Sequence, residues 1–313
     1  MTVDDEADGA RVLIMGSGAI GAFYGGRLAQ SGADVVFVAR GANLAALRRE
    51  GLRIDTAAGS ERLAPVQAVE TPAEAGPCDV VLVCVKSYDT AAAAQALRPA
   101  VRGDTIVLSL QNGVENEATL AAILDLPPLL GGLTQIGAAL TAPGVVHYES
   151  GGRLIFGEMD GRPTARVERL ARLFARAGLD HRASRSIAVM LWDKLAWNAA
   201  FNALTAVTQR TVGELLARPD GRELARAAML EVVAVARANG VALEDRVEES
   251  LRYSEAELGH LRTSMLQDRE RGRRLEYDAL NGAVVRAAER AGIDAPVHRV
   301  LYGLLAAIDS RLA

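Results

Sequence analysis

Apolar, β-branched runs of strand length alternate with helical patterns through the first half of the chain, and then they stop. Arg11 to Met15 reads as a short strand, followed at once by a glycine-rich turn and an apolar helix to about Gln30. Asp34 to Ala39 is the next strand. The rhythm repeats at Asp79 to Val85 before the alanine-rich helix Ala91 to Leu97, and at Asp104 to Leu110 before a helix from about Glu115 to Leu124. Strands alternating with helices predict a parallel sheet with helices packed on its faces. From Leu129 to Gly157 short β-branched pieces are broken by Gly131-Gly132, Pro143-Gly144 and Gly151-Gly152, which predicts edge strands completing the sheet. The helix Thr164 to Ala177 sets Arg166, Arg169, Arg172 and Arg176 at helical spacing, read as a solvated face. After about Ser184 only long helical patterns remain.

The turn after the first strand gives this pattern a chemical meaning. Gly16-Ser17-Gly18-Ala19-Ile20-Gly21 is a GxGxxG inside a strand-helix-strand unit, the context in which the motif binds a dinucleotide. Gly16 makes the tight turn, Gly18 lets backbone approach a pyrophosphate, and Gly21 lets helix and strand pack closely. The helix N-terminus supplies N–H groups and partial positive charge for that pyrophosphate. The fold expected is therefore α/β: an N-terminal Rossmann-type dinucleotide-binding domain over 11–183, followed by an all-α domain over 184–313. At the end of the second strand, where an acidic residue would accept the ribose hydroxyl of NAD, the chain has Arg40. An arginine there can pair with the 2'-phosphate of NADP, so NADPH is the cofactor expected; the alternative is a surface arginine beside a different specificity loop. Ligands of open parallel sheets bind beyond the carboxyl ends of the strands, which points Lys86 and Asn112 at the same crevice.

The helical half carries one conspicuous segment, Leu191 to Thr208, rich in Leu, Trp, Ala and Phe as in a helix buried nearly all round. Lys194, Asn198 and Asn202 nevertheless follow each other at i, i+4 spacing, a narrow polar stripe that is costly unless something polar faces it. Lys86 and Lys194 are the only lysines; every other basic residue is an arginine. Either an arginine-rich composition left two lysines by chance, or lysine is kept where a compact ammonium able to release a proton is needed. A later polar cluster holds Ser264 and Glu276, which by composition alone read as an ordinary cap and an ordinary helix carboxylate.

Totals narrow the rest. At about 150 residues per domain, 313 residues predict two domains, and a net charge of -4 lacks the basic excess of a nucleic-acid or membrane-surface binder. Small molecules are the expected partners. No apolar run approaches the roughly 20 residues of a bilayer span. Met1 to Ala10, with Asp4, Asp5, Glu6 and Asp8, reads as a disordered acidic head on a cytoplasmic protein. Cys78 and Cys84 suit structural roles, and the four histidines are scattered, so no metal site is expected. The apolar helical half has surface enough for a homodimer.

In order, GSGAIGAFYGGRLAQSG with Arg40 beyond it, CVKSYDT, LQNGVENE, WDKLAWNAAFN and TSMLQDRERGRRLEYDALNG resemble the ketopantoate reductases, from Arg11 to about Leu305. That resemblance implies an NADPH-dependent reduction of 2-dehydropantoate (ketopantoate) to pantoate, in pantothenate and coenzyme A synthesis. By the same resemblance Arg40 and Lys86 meet the 2'-phosphate end of the cofactor, and Asn112 sits where nicotinamide and substrate meet. It makes Lys194 the general acid, with Asn198, Asn202, Ser264 and Glu276 holding the substrate's carboxylate and hydroxyl groups. One position departs: some members of the family have an asparagine three residues before the serine matched by Ser264, and here that residue is Leu261. A different 2-oxo acid is therefore the near alternative, and a non-catalytic NADP-sensing protein the distant one.

Overall fold

The structure is a computed structural model that describes residues 9–312; most of the expected acidic head, 1–8, lies outside the described residues. The chain forms two compact units. One ends at Gln111 and resumes over Asn116–Ile187; the other takes Asn112–Glu115 and the chain from Ala188 onward. The first thus runs a few residues past Ser184, and a short early piece belongs to the second.

The first unit is built on one mixed sheet. Its strands are β1 (Arg11–Met15), β2 (Asp34–Val38), β3 (Leu52–Thr56), β4 (Gly59–Leu63), β5 (Gln67–Val69), β6 (Val80–Val83), β7 (Ile106–Ser109), β8 (Leu130–Ala142), β9 (Val145–Glu158) and β10 (His181–Ala183). They lie in the order β4-β3-β9-β8-β7-β6-β1-β2-β5, with β10 on β9. The run β7-β6-β1-β2-β5 is parallel, while β8 with β9 and β3 with β4 are antiparallel. Strands inside a parallel sheet are buried on both faces, which is why β1 and β6 read as unbroken apolar runs. Val12 and Ile14 join one core with Leu82, Leu108 and Phe156; Leu13 and Met15 join the opposite one with Val81, Val83 and Val107.

Two readings of the sequence change here. The glycine-broken stretch expected to form edge strands forms two long strands inside the sheet, β8 and β9. Gly151 and Gly152, at φ +75° and +98°, take up a register shift opposite Gln135 and Ile136 instead of ending the strand. The arginines of the helix Ala165–Arg176 are not all solvated either: Arg166 pairs with the buried carboxylate of Glu158, and Arg169 lies 3.6 Å from Asp79.

The second unit is all helical. The helix Ile187–Thr208 runs through it, and its Ala199, Ala200, Phe201, Ala203 and Leu204 pack with Val232, Leu251, Val284 and Leu301 of the surrounding helices. Those helices include Pro219–Ala238, Val247–Glu257, Ser264–Glu270, Ala283–Ala291 and Pro296–Asp309. A π-helical turn, Asp278–Gly282, leads into Ala283–Ala291. No helix among the described residues is long and apolar enough to cross a membrane.

Candidate active site

In the sheet unit the glycine loop leaves the carboxyl end of β1 and opens the helix Ala19–Gln30. Gly16 has φ +101°, and a Cβ there would lie 2.8 Å from the backbone nitrogen of Val85, so the loop rests directly on the end of β6. A Cβ on Gly21 would meet the Gly16 carbonyl at 2.1 Å. Around Gly18, the exposed N-cap, the space is open. Ser17 is buried, and both its backbone N–H and its Oγ donate to the Val38 carbonyl, at 3.1 and 2.9 Å. Its hydroxyl therefore braces the loop against β2. Ala19 and Ile20 are half-buried in the first helical turn.

The neighbouring strand ends bring their residues to the same edge of the sheet. Arg40 is exposed at the end of β2, as the N-cap residue of the helix Gly41–Glu50. Lys86, half-buried, follows β6 and starts the turn Ser87–Asp89. Beneath them lies polar scaffolding that the sequence did not announce. Asn43 Nδ2 donates to the Ser17 carbonyl at 2.8 Å while its Oδ1 accepts from Gly144 N at 2.8 Å. Gln111 Nε2 donates to Thr90 Oγ1 and the Val85 carbonyl, at 2.8 and 3.1 Å, and Thr90 meets Asn116 at 3.0 Å. Short polar residues in loops give no periodic signal, and only the asparagine and glutamine amides themselves could have hinted at these bridges. Next to Asn116, Glu117 is buried with one carboxyl oxygen unpartnered among the described residues, and burial pushes its pKa up to about 7.

In the helical unit the polar stripe of the Ile187–Thr208 helix stands on an apolar rod. Lys194 and Asn198 are half-buried and Asn202 is buried. Burial pushes the Lys194 pKa down to about 8, opposed by the nearby Glu276 carboxylate, which favours the ammonium. Glu276 is itself buried, just before the π turn. Asn198 Nδ2 points at Asn112 Oδ1 across 3.5 Å, a long contact that joins the Asn112–Glu115 segment to the stripe. That segment is fixed in this unit by Val114, packed on the helical core, and by Glu115, which accepts from Arg286 Nε and Nη2 at 3.1 and 2.7 Å.

Ser264 follows a residue that touches the lysine helix. It is exposed at the first position of its helix, and the cap is Thr263, whose buried Oγ1 accepts from Leu266 N and meets Thr205 Oγ1 at 2.7 Å. Two adjacent hydroxyls are both sound caps, so sequence could not choose between them. Leu261 is half-buried against the helical core. Among the described residues no group of three or more His, Cys, Asp or Glu side chains could hold a metal ion.

Comparison with known proteins agrees with this anatomy over both units. The family described as Ketopantoate reductase PanE/ApbA matches residues 12–161, and its C-terminal counterpart, Ketopantoate reductase PanE/ApbA C terminal, matches 186–309. A 2-dehydropantoate 2-reductase of Archaeoglobus fulgidus is 39% identical over 96% of this chain and 99% of its own length. One from Halobacterium salinarum is 36% identical over 94% of this chain and 97% of its own. A crystal structure of a PanE/ApbA family ketopantoate reductase from Ralstonia eutropha superposes with a TM-score of 0.90 at 38% identity, covering 96% of this chain and 99% of that one. The chain is an oxidoreductase and belongs to the ketopantoate reductase family.

Proposed function

We propose that the protein reduces ketopantoate to pantoate with NADPH, a step of pantothenate and coenzyme A synthesis, and that Lys194 is its general acid. The observation that carries the reading is a lysine held half-buried on an apolar helix with its pKa pushed down to about 8. Such an ammonium is costly to keep and is retained where it works. Reduction of a 2-oxo acid builds negative charge on the carbonyl oxygen. An ammonium in hydrogen-bond reach stabilises that charge and then gives up its proton, which an arginine with a pKa above about 12 does poorly.

The glycine loop fits a dinucleotide: Gly16 and Gly21 sit where a Cβ would collide with backbone, and the space around Gly18 is open. Bound there, reduced nicotinamide supplies the hydride. Gly16, Gly18, Ala19, Ile20 and Gly21 would hold its pyrophosphate through backbone, with Ser17 bracing the loop, while Arg40 and Lys86 would take the 2'-phosphate and so favour NADPH. Asn112, Asn198 and Asn202 would orient the 2-oxo acid, Glu276 would accept from its hydroxyl, and Ser264 would complete the set. The buried Glu276 carboxylate also keeps Lys194 charged, ready to donate.

Leu261 favours a second reading, the same chemistry on another 2-oxo acid, because it sets methyl groups where some relatives have an amide. The test is loss of NADPH absorbance with ketopantoate, run beside NADH and a panel of 2-oxo acids. Fast, NADPH-selective turnover of ketopantoate is expected. Turnover of another 2-oxo acid alone moves the substrate, and turnover of none removes the catalytic reading.

A further inference from the structure

A buried polar chain lies behind the lysine helix. Asn281, on the π turn and fully buried, donates from Nδ2 to the Ala199 carbonyl at 2.9 Å and meets His298 Nδ1 at 3.1 Å. His298, also fully buried, meets the Ala228 carbonyl with Nε2 at 2.9 Å. A carbonyl only accepts, so Nε2 carries the proton and Nδ1 is left to accept from Asn281. Both hydrogens of the Asn281 amide are thus committed, one to the lysine helix and one to the Pro296–Asp309 helix. Its Oδ1 is buried with no partner among the described residues. A buried amide with an unsatisfied oxygen is a poor choice for stability alone, since an apolar side chain would avoid that penalty.

What the amide fastens explains the choice. Ala199 follows Asn198 directly and lies on the helix that carries Lys194, and the π turn that holds Asn281 begins two residues after Glu276. π turns widen a helix by one residue and recur at functional sites. We propose that Asn281 is a positioning residue: by tying the π turn to the Ala199 carbonyl it fixes Glu276 at the distance from Lys194 and Asn198 that the substrate requires. The proposal rests on the reading of Lys194 and Glu276 given above.

The experiment compares wild type, Asn281→Ala, Glu276→Ala and the double variant, with Asn281→Ser in place of Asn281→Ala should the alanine protein not fold. Active sites are counted by NADPH binding, so misfolded protein does not enter kcat. Asn281→Ala is expected to raise the KM for ketopantoate about tenfold and leave kcat per active site and the KM for NADPH within about threefold. In the Glu276→Ala background the same change should add less than about twofold, because the residue it positions is gone. Amide hydrogen exchange over 276–282 should quicken in the variant. An equal KM penalty in both backgrounds, a fall in kcat with KM unchanged, or unchanged exchange beside normal wild-type turnover each overturns the Asn281 proposal alone. A wild type that reduces no 2-oxo acid overturns the parent reading and this one with it.

Discussion

The sheet unit and the helical unit assemble their polar surfaces from different material. At the end of β1 the polar groups on offer are backbone, and the side chains matter by being absent: Gly16 and Gly21 sit where a single Cβ would strike a carbonyl or an amide. On the Ile187–Thr208 helix the backbone is spent on helical hydrogen bonds, and the polar groups on offer are the side chains of Lys194, Asn198 and Asn202. The first surface is broken by adding an atom, the second by changing a functional group. Lesions in the former should therefore move cofactor affinity and stability together, and lesions in the latter should move turnover at constant stability.

The sharpest test of that contrast is Lys194→Arg, which keeps the charge and alters proton donation. Turnover should fall by about 10² to 10⁴ while NADPH binding and thermal stability hold. Steady-state kinetics beside a binding titration check it. The pH profile belongs to the same test: kcat for reduction should decline as pH rises through about 8, where Lys194 gives up its proton. In Glu276→Gln, the loss of a carboxylate that holds that proton should move the decline to lower pH.

Gly21→Ala probes the other surface, since its Cβ would lie 2.1 Å from the Gly16 carbonyl. It should cost about 2–4 kcal/mol of stability and weaken NADPH in parallel, read by melting curves and titration. A protein that keeps its stability and loses only turnover would erase the distinction. Arg40→Ala should weaken NADPH by about 10- to 100-fold and leave NADH nearly unchanged, as expected for a lost charge-assisted bond to the 2'-phosphate. The smallest effect is Glu117→Gln. The folded carboxyl keeps its proton to about pH 7, whereas the unfolded one releases it near 4.5, so wild-type stability drains away as pH rises through that window. The glutamine variant should melt higher at pH 8, by about 1–3 kcal/mol, and match wild type near pH 4.5.

What could be read in the sequence follows the range of the forces involved. β1 runs from Arg11 to Met15, the span its apolar run predicts, and the polar stripe on the lysine helix follows from 3.6-residue periodicity alone. Both are local. β3 and β4 form a hairpin of charged, partly exposed residues and β5 is only Gln67–Val69, held by its pairing with β2, so no apolar run announces them. The glycine pairs around β8 and β9 were ambiguous because a break and a bulge use the same residue. In the site, Lys194 stands out by its rarity, but Glu276 and Asn112 look ordinary until a tertiary neighbour is known. The Asn281–His298 chain lies further still from any sequence signal, since its residues meet only across helix packing.

The excursion of Asn112–Glu115 into the helical unit sets a timetable for the growing chain. Glu115 leaves the ribosome early, and its guanidinium partner Arg286 comes 171 residues later. At roughly 5–20 residues per second, the acid waits roughly 10–30 s for its clamp. Throughout that interval the chain just after β7 carries a short loop whose permanent surroundings have not yet been synthesised. A gene cut between the units would make the wait permanent, so the two halves are spliced together in time as well as in sequence.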